Sequence, residues 1–403
     1  MNSNRKNSEL VARLLHWFAA HARDLPWRRT RDPYAIWVSE IMLQQTQVKT
    51  VIPFWERWMR ALPDIASLAN ADTDQLHKLW EGLGYYTRVR NLQKAAQQMV
   101  TLSPADGKRN GVGRFPTEFD AVLALPGIGR YTAGAICSIA FNQPTPILDG
   151  NVIRVLTRIH GINTDPREKE TNARLWRLAE ELVTHAQAAW DARPREPHSG
   201  NFSPTRREPH PTNACSHLNQ SLMELGALIC TPRSPNCAAC PVQKLCAARK
   251  RNLQDHLPNL GKRAAATARR FLAFVVERNG KFLVRQRPDG VLNAHLWEFP
   301  NVEIGAECGD PQRAAAALGV RVTSTRPFRI VKHSITRYRI TLEAWRAGPA
   351  QKAALAGQWR SRRQLSRLAF TSAHRKILQA ISISKIRKCG TVSPGEPGGP
   401  LKE

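Results

Sequence analysis

Four cysteines lie within 17 residues of one another near the middle of the chain, at a spacing that suits a metal centre. Six residues separate Cys230 from Cys237, two separate Cys237 from Cys240, and five separate Cys240 from Cys246. Four thiolates this close can enclose one centre, and Cys-x-x-Cys pairs bind either zinc or an iron–sulfur cluster. Such crowding indicates metal more often than disulfides in a reducing compartment. The spacing alone leaves zinc and iron–sulfur equally open.

Two acidic residues stand in surroundings that suit catalysis. Glu40 lies within an otherwise apolar helical run, Trp37 to Val48. A carboxylate that is buried away from solvent must be paired or functional. Burial would also raise its pKa toward that of a general acid near neutral pH. Asp149 follows the apolar Ile147-Leu148 and precedes a predicted helix. Taken by itself, Asp149 is more simply interpreted as a helix N-cap.

A glycine turn joins two predicted helices at Leu125-Pro-Gly-Ile-Gly-Arg130. Gly127 and Gly129 permit positive backbone angles and a close approach of backbone N–H groups to a ligand. At the start of a helix, such groups bind phosphate. A plain helix connector is the alternative.

The charge of the chain points to a polyanionic partner. Its 403 residues include 60 Lys and Arg against 32 Asp and Glu, a net charge of +28. Basic side chains gain affinity by releasing counterions from phosphates, so nucleic acid is the favoured interpretation over a genome that simply encodes much arginine. The polar opening and the lack of any apolar run of roughly 20 residues predict a cytoplasmic protein without a membrane partner. We expect a monomer.

The surrounding pattern predicts a helical region followed by a smaller mixed domain. Helical periodicity covers 8–21, 34–51, 73–83, 88–102, 117–124, 131–141, 152–160 and 169–189. An Asn279-Gly280 hairpin, a strand over 335–347, and helices over 311–318 and 372–383 then follow. Pro-, Gly- and Arg-rich composition marks surface insertions at 103–114 and 191–213.

The cysteine spacing, together with Leu225-Gly-Ala-Leu-Ile-Cys230-Thr-Pro and Cys240-Pro241, resembles the iron–sulfur loop of the endonuclease III-like DNA glycosylases. The glycine turn resembles the helix-hairpin-helix of the same superfamily. This resemblance implies one structural [4Fe–4S] cluster on the four cysteines. It also implies a mostly helical catalytic region, with a six-helix barrel and a cluster domain.

Three further motifs are Leu25-Pro-Trp-Arg28, Ser39 to Val48 and Gly82 to Arg88. Together they resemble the adenine DNA glycosylase (MutY) family. The resemblance implies a base-excision repair enzyme that acts on double-stranded DNA containing adenine opposite 8-oxoguanine or guanine. Because the target base is inside a duplex, the enzyme must flip it out.

The resemblance also implies roles for particular residues. Glu40 would protonate N7 of the flipped adenine, and Asp149 would stabilise the oxocarbenium ion. The further residues implied are, for catalysis, Tyr131 and Asn151; for the adenine pocket, Trp27, Arg28 and Glu224; and for DNA, Gln45, Tyr85, Gly127 and Gly129. A core role remains an alternative for Tyr85.

Position 131 bears on the type of reaction. Bifunctional members of the superfamily carry a lysine in this motif, which forms a Schiff base and permits strand cleavage. The residue here is Tyr131, which cannot form that imine, so we expect a monofunctional glycosylase. A thymine-mismatch or endonuclease III-type pyrimidine glycosylase remains the alternative.

The C-terminal segments Phe282–Pro288 and Leu296–Pro300 resemble the Nudix-like domain of the same family. A Nudix hydrolase needs clustered glutamates on a helix, and only Glu303 and Glu307 follow before an alanine run. We therefore expect an α+β module that recognises 8-oxoguanine, through His333 or Ser334, and not a phosphohydrolase.

The predicted domains are a catalytic region over 1–251 with its cluster loop at 230–246, a basic linker over 252–268, the Nudix-like domain over 269–383 and a flexible tail over 384–403. We expect any partner proteins of repair at the linker. A DNA-binding protein without activity is a further alternative. The presence of both Glu40 and Asp149 argues against it.

Overall fold

The computed structural model describes residues 3–102, 113–191, 213–261, 265–305, 309–335, 337–350 and 356–386. The predicted insertions and the tail beyond residue 386 lie almost entirely outside these residues. The chain divides into two compact units. We call 1–71 with 88–263 the helical unit, and 72–87 with 264–403 the sheet unit. The predicted domain bounds stay a prediction, and segment 72–87 belongs by packing to the sheet unit.

The first 261 residues are helical where they are described. Their helices are α1 (Ser3–His21), α2 (Pro33–Leu43), α3 (Val48–Ala61), α4 (Ile65–Ala69), α5 (Thr73–Trp80), α6 (Thr87–Leu102), α7 (Phe119–Leu123), α8 (Arg130–Phe141), α9 (Gly150–His160), α10 (Lys169–Asp191), α11 (Ala214–Leu228) and α12 (Ala247–Lys250). Of these, α5 lies in the sheet unit. No described helix combines the length and the apolar character that crossing a bilayer requires.

One core of the helical unit forms where α1, α9, α10 and α11 pack together. Leu14, Val155, Leu182 and Leu222 are almost fully buried there. Each comes from a different helix, and such interdigitation fixes the helices to one another. The packing therefore sets the position of the N-terminus of α9, where Asp149 lies.

The prediction of one helical stretch over 34–51 was wrong. Asp32 caps α2 by accepting from the N–H groups of Tyr34 and Ala35, as predicted for Asp32-Pro33. The helix ends at Leu43, and Gln45 has a φ of 58°, which no α-helix accommodates. Apolar periodicity did not reveal the break, because apolar residues recur at Val48 and Val51 beyond the polar Gln44-Gln-Thr-Gln47.

The C-terminal residues form a mixed sheet with helices, which confirms the predicted α+β class. Its strands are β1 (Thr267–Arg278), β2 (Lys281–Gln286), β3 (Trp297–Glu298), β4 (Asn301–Ile304), β5 (Val320–Val322), β6 (Arg329–Ile335), β7 (Tyr338–Pro349) and β8 (Gln358–Ser361). The helices are α13 (Pro311–Ala316), α14 (Arg362–Arg367) and α15 (Ser372–Ile386). Strands β1 and β7 are parallel, and β7 also pairs with β5 and β6.

The predicted hairpin is present. Arg278 pairs with Lys281, and Asn279 and Gly280 have φ values of 49° and 71°, as a tight hairpin turn requires. The predicted strand over 335–347 was wrong at its start. Ile335 ends β6 and pairs with Tyr338 of β7, so the chain reverses where continuous strand was expected.

Candidate active site and cysteine-lined cavity

A cleft of about 520 Å³, open to solvent, lies within the helical unit and is lined by most of the predicted site residues. They come from several elements: α2, the loop that follows α2, α8, the N-terminus of α9, α11, and the short 3-10 turn Pro26–Arg28. The predicted residues that line the cleft are Trp27, Arg28, Glu40, Gln45, Tyr131, Asp149, Asn151 and Glu224. Two carboxylates more than a hundred residues apart in the chain, Glu40 and Asp149, therefore face one space.

Glu40 is a buried carboxyl group held by a tyrosine. Only 5% of Glu40 is exposed, and the hydroxyl of Tyr131 donates to its Oε2 at 2.8 Å. Burial raises the pKa of Glu40 to about 7, and the negative charge of Asp149 contributes in the same direction. The hydrogen bond from Tyr131 opposes this shift. Glu40 can therefore carry and release a proton near neutral pH.

Asp149 is both a helix cap and part of the cleft. Its Oδ1 accepts from the backbone N–H of Val152 at 2.7 Å, and its Oδ2 accepts from Asn151 Nδ2 at 2.9 Å. Burial raises the pKa of Asp149, while these hydrogen bonds act against the rise. The sequence offered an N-cap as the alternative to a functional role for Asp149. In the structure, the capping hydrogen bonds hold the carboxylate of Asp149 in the cleft.

Glu224 lies on another wall of the cleft in the opposite electrostatic situation. Arg23 donates to both of its carboxylate oxygens, at 2.8 and 2.7 Å, and Arg28 also reaches both oxygens, at 3.2 and 3.0 Å. Burial alone would raise its pKa, but the hydrogen bonds from the two arginines lower it to about 2. Glu224 is thus a fixed negative charge. Sequence reasoning missed Arg23, which no motif marked.

A close helix contact positions Asn151. A Cβ added to Gly226 of α11 would lie 2.7 Å from the Cβ of Asn151 and 3.1 Å from its Cα. Only glycine allows this approach, because the backbone of α9 cannot give way. Arg154 secures the same contact by donating to Gly226 O and Asn151 Oδ1. Sequence reasoning missed both Gly226 and Arg154.

Gln45 and Tyr85, two of the residues predicted to contact DNA, have an unusual backbone conformation. Gln45 and Tyr85 have φ values of 58° and 48°, in the left-handed region that side chains other than glycine and asparagine rarely adopt. Gln45 lines the cleft, whereas Tyr85 belongs to the sheet unit. Tyr85 is 45% exposed, so its interpretation as a core residue was wrong.

The glycine turn before α8 has the predicted position but only one left-handed glycine. Gly127 has a φ of 78°, and a Cβ there would lie 2.6 Å from the Cβ of Asn91. Gly129 instead has a φ of −99° and is the N-cap of α8. Both glycines permit a positive φ, but only Gly127 adopts it. At Gly129 the space that an approaching ligand would need is open.

The four clustered cysteines line one cavity, apart from the cleft. Arg158 of α9 lies beside it, fully buried, and donates to Cys230 Sγ at 3.3 Å and to Thr231 O at 2.7 Å. Among the described residues, no three ligating side chains are close enough together to hold a single metal ion. Four thiols that line one cavity without meeting around a single point, with a cation against one of them, fit a multi-atom cluster better than one zinc ion.

The two residues proposed for lesion recognition lie on β6 in the sheet unit. Ser334 is exposed, whereas His333 is half-buried, and its buried Nδ1 has no hydrogen-bond partner among the described residues. Consecutive strand residues point to opposite faces of a sheet. His333 and Ser334 therefore cannot read a ligand from the same face.

Family models match three segments of the chain. Residues 38–181 match the HhH-GPD superfamily of base excision DNA repair proteins, residues 230–246 the iron–sulfur binding domain of endonuclease III, and residues 272–380 the NUDIX domain. These matches confirm the predicted order of a helix-hairpin-helix region, an iron–sulfur loop and a Nudix-like domain.

Curated relatives cover most of the chain. An adenine DNA glycosylase of Mus musculus is 34% identical over 91% of this chain and 76% of its own length. That of Homo sapiens is 33% identical over 91% of this chain and 72% of its own. A solved structure of a thermostable thymine-DNA glycosylase is 27% identical, with a TM-score of 0.49, and covers 62% of this chain and 100% of that one.

Proposed function

Since the chain belongs to the adenine DNA glycosylase family, whose members act in base-excision repair, we propose that it removes adenine mispaired with 8-oxoguanine or guanine in duplex DNA. One observation carries the proposal. Glu40 and Asp149 face a single cleft open enough to receive an extruded nucleotide. The enzyme would flip the adenine out of the duplex into this cleft.

Glu40 supplies the proton in the proposed mechanism. Its pKa of about 7 leaves a substantial fraction protonated at neutral pH, and transfer to N7 of adenine makes the base a better leaving group. Tyr131 orients the carboxyl group through its hydroxyl. The fixed charge of Glu224 keeps Arg23 and Arg28 in place beside Trp27, so these residues wall the base pocket.

Asp149 then stabilises the positive charge that develops on the deoxyribose, or traps it covalently, as the carboxylates of retaining glycosidases do. Asn151 and the Val152 N–H hold both oxygens of Asp149, which limits its motion during the reaction. Water completes the hydrolysis. Tyr131 offers no amine for a Schiff base, so strand cleavage is not part of the reaction. Borohydride should trap no stoichiometric covalent complex with DNA.

The chain binds an iron–sulfur cluster, and we assign it as one [4Fe–4S] cluster on Cys230, Cys237, Cys240 and Cys246. When bound, such a cluster would tie the loop that carries Cys237, Cys240 and Cys246 to Cys230, just after α11, and shape a DNA-facing surface. Analysis of purified protein should give four iron atoms and four sulfides per chain. One zinc ion and no iron would overturn this assignment.

DNA contacts would involve both units. Gln45 and Tyr85 are proposed to wedge into the duplex, and their exceptional backbone angles support this role. The turn at Gly127 and Gly129 would seat a phosphate. His333 or Ser334 would contact 8-oxoguanine, and protein partners of repair would meet the linker over 252–268.

The direct test is release of a base from defined duplexes. Wild type should release adenine opposite 8-oxoguanine, and Glu40→Gln should lose most of this activity, as quantified below. Glu56→Gln, an exposed acid on α3, is the matched control and should keep it. Release of thymine from G:T, or of an oxidised pyrimidine, in place of adenine would overturn the proposal.

A further inference from the structure

Segment 72–87 carries Tyr85 and packs within the sheet unit, although its neighbours in the chain on both sides belong to the helical unit. The predicted lesion-contacting strand β6 lies in the same unit. The carboxylates proposed for catalysis, Glu40 and Asp149, lie in the helical unit. Tyr85, proposed as a wedge, and β6, proposed to contact the lesion, therefore lie in one compact unit. Hydrogen bonds hold segment 72–87 in this unit.

Glu81 forms the polar part of this junction. Only 6% of Glu81 is exposed, and its Oε1 accepts from the backbone N–H of Phe370 at 3.1 Å. Its other oxygen accepts from Lys78 Nζ at 2.8 Å and lies 3.6 Å from a guanidinium nitrogen of Arg375. Arg375 also donates to the backbone carbonyl of Glu81 at 3.2 Å. One buried carboxylate thus binds three groups, two of them from the C-terminal part of the chain.

Phe370, whose backbone N–H donates to Glu81, is itself held against the sheet. Phe370 is 1% exposed and pairs with Trp297 of β3, where Trp297 donates to Ala369 O and Thr371 donates to Trp297 O. Lys78 adds a second link by donating to Leu368 O at 3.1 Å. The segment 368–371 is therefore held by the sheet on one side and by α5 and Glu81 on the other.

Glu81 directly precedes the turn that presents Tyr85. Gly82, Gly84 and Tyr85 all have positive φ, and Trp80 Nε1 donates to Gly84 O at 3.0 Å. A turn of this conformation persists only where its surroundings determine it. Glu81 anchors one end of the turn to Phe370.

We propose that Glu81 is a positioning residue that fixes the Tyr85 turn to the lesion-reading module, so that wedge and lesion contact act together. Glu81 then contributes to the choice between 8-oxoguanine and guanine opposite the adenine. It touches neither the adenine nor Asp149. This inference rests on the proposed function.

The test measures adenine release from A:8-oxoguanine and A:G duplexes. The quantity compared is kcat/KM for the A:8-oxoguanine duplex divided by kcat/KM for the A:G duplex. Glu81→Ala should lower this ratio roughly tenfold, because a buried charged hydrogen bond is lost. Glu81→Gln, which retains an acceptor for Phe370 N, should keep part of the ratio. The exposed Glu277→Gln on β1 is the matched control and should keep all of it.

A double-mutant cycle with Tyr85→Ala separates positioning from a general structural effect. If Glu81 acts through Tyr85, Glu81→Ala should change the ratio little further once Tyr85 is already alanine. Additive losses would overturn the proposal, and so would an unchanged ratio in Glu81→Ala. Should Glu81→Ala not fold, Arg375→Gln removes a partner whose side chain is 44% exposed and enters the same cycle. Failure of wild type to release adenine would instead overturn the proposed function.

Discussion

Two buried glutamates face the same cleft from different walls, and they differ in their partners. Glu40 receives one hydrogen bond, from the neutral hydroxyl of Tyr131, and burial raises its pKa to about 7. Glu224 is held by the guanidinium groups of Arg23 and Arg28, which lower its pKa to about 2. Burial penalises both charges, and the number of cations within reach decides which carboxyl group can exchange a proton. The wall that carries Glu40 can therefore transfer a proton, whereas the wall that carries Glu224 holds a fixed negative charge.

Replacement of Glu40 should have the largest effect on the rate of adenine release. Glu40→Gln keeps the size of the side chain and its bond with Tyr131 but removes the transferable proton. We expect the rate of adenine release to fall by roughly 10²–10⁴-fold in single-turnover measurements. A fall of less than tenfold would show that Glu40 is not the proton donor.

Asp149→Asn should give the next largest loss. Asparagine is as good an N-cap as aspartate, so α9 and its melting temperature should be nearly unchanged. The negative charge opposite the deoxyribose is lost, and we expect release to slow by roughly 10²–10³-fold. A large drop in melting temperature would mean that Asp149 serves mainly as a cap, contrary to its proposed role.

Replacement of Glu224 should act on stability first. Glu224→Gln leaves Arg23 and Arg28 partly buried without a counter-charge, which costs about 3 kcal/mol or more of unfolding free energy. We expect denaturant unfolding to show this loss, and the rate of chemistry to fall less than in Glu40→Gln. If Glu224→Gln slowed the chemistry more than Glu40→Gln, the assignment of proton transfer to Glu40 and of a fixed charge to Glu224 would be contradicted.

The two glutamates should also respond to pH with opposite signs. The folded-state pKa of Glu224 lies below its ordinary 4.5, so its stabilisation is present above pH 4.5 and is lost as pH falls toward about 2. The folded-state pKa of Glu40 lies above 4.5, so the protein loses stability from this group as pH rises from 4.5 to about 7. Unfolding of each Gln variant, compared with wild type across these windows, separates the two contributions.

Tyr131→Phe should have the smallest effect. The hydroxyl of Tyr131 lowers the pKa of Glu40, so its removal should raise that pKa. We expect a rate change of only a few fold at pH 6, where Glu40 is already protonated in wild type. A loss as large as that of Glu40→Gln would give Tyr131 a direct part in the reaction.

The motif residues of both walls could be predicted from sequence, but their partners could not. Glu40 stood out as an acid in an apolar run, and the cysteine spacing marked the cluster loop. Arg23 and Arg154 carried no signal, because an arginine in a chain with 60 basic residues is unremarkable until folding places it against a carboxylate or a carbonyl.

Backbone breaks and long-range junctions were also beyond sequence reasoning. The positive φ of Gln45, which breaks the helical stretch after Leu43, has no marker in the sequence, because glutamine rarely adopts this conformation. The packing of segment 72–87 in the sheet unit depends on contacts such as Glu81 with Phe370, which are 289 positions apart. Local periodicity carries no information on such pairs.

The most direct test of the central claim is the pH dependence of single-turnover adenine release from an A:8-oxoguanine duplex. Wild type should be fast at pH 6 and slow above an inflection near pH 7, as Glu40 loses its proton, and Glu40→Gln should lack this inflection. A wild-type profile that stays flat through pH 7, or an inflection that persists in Glu40→Gln, would contradict the assignment of Glu40 as the proton donor.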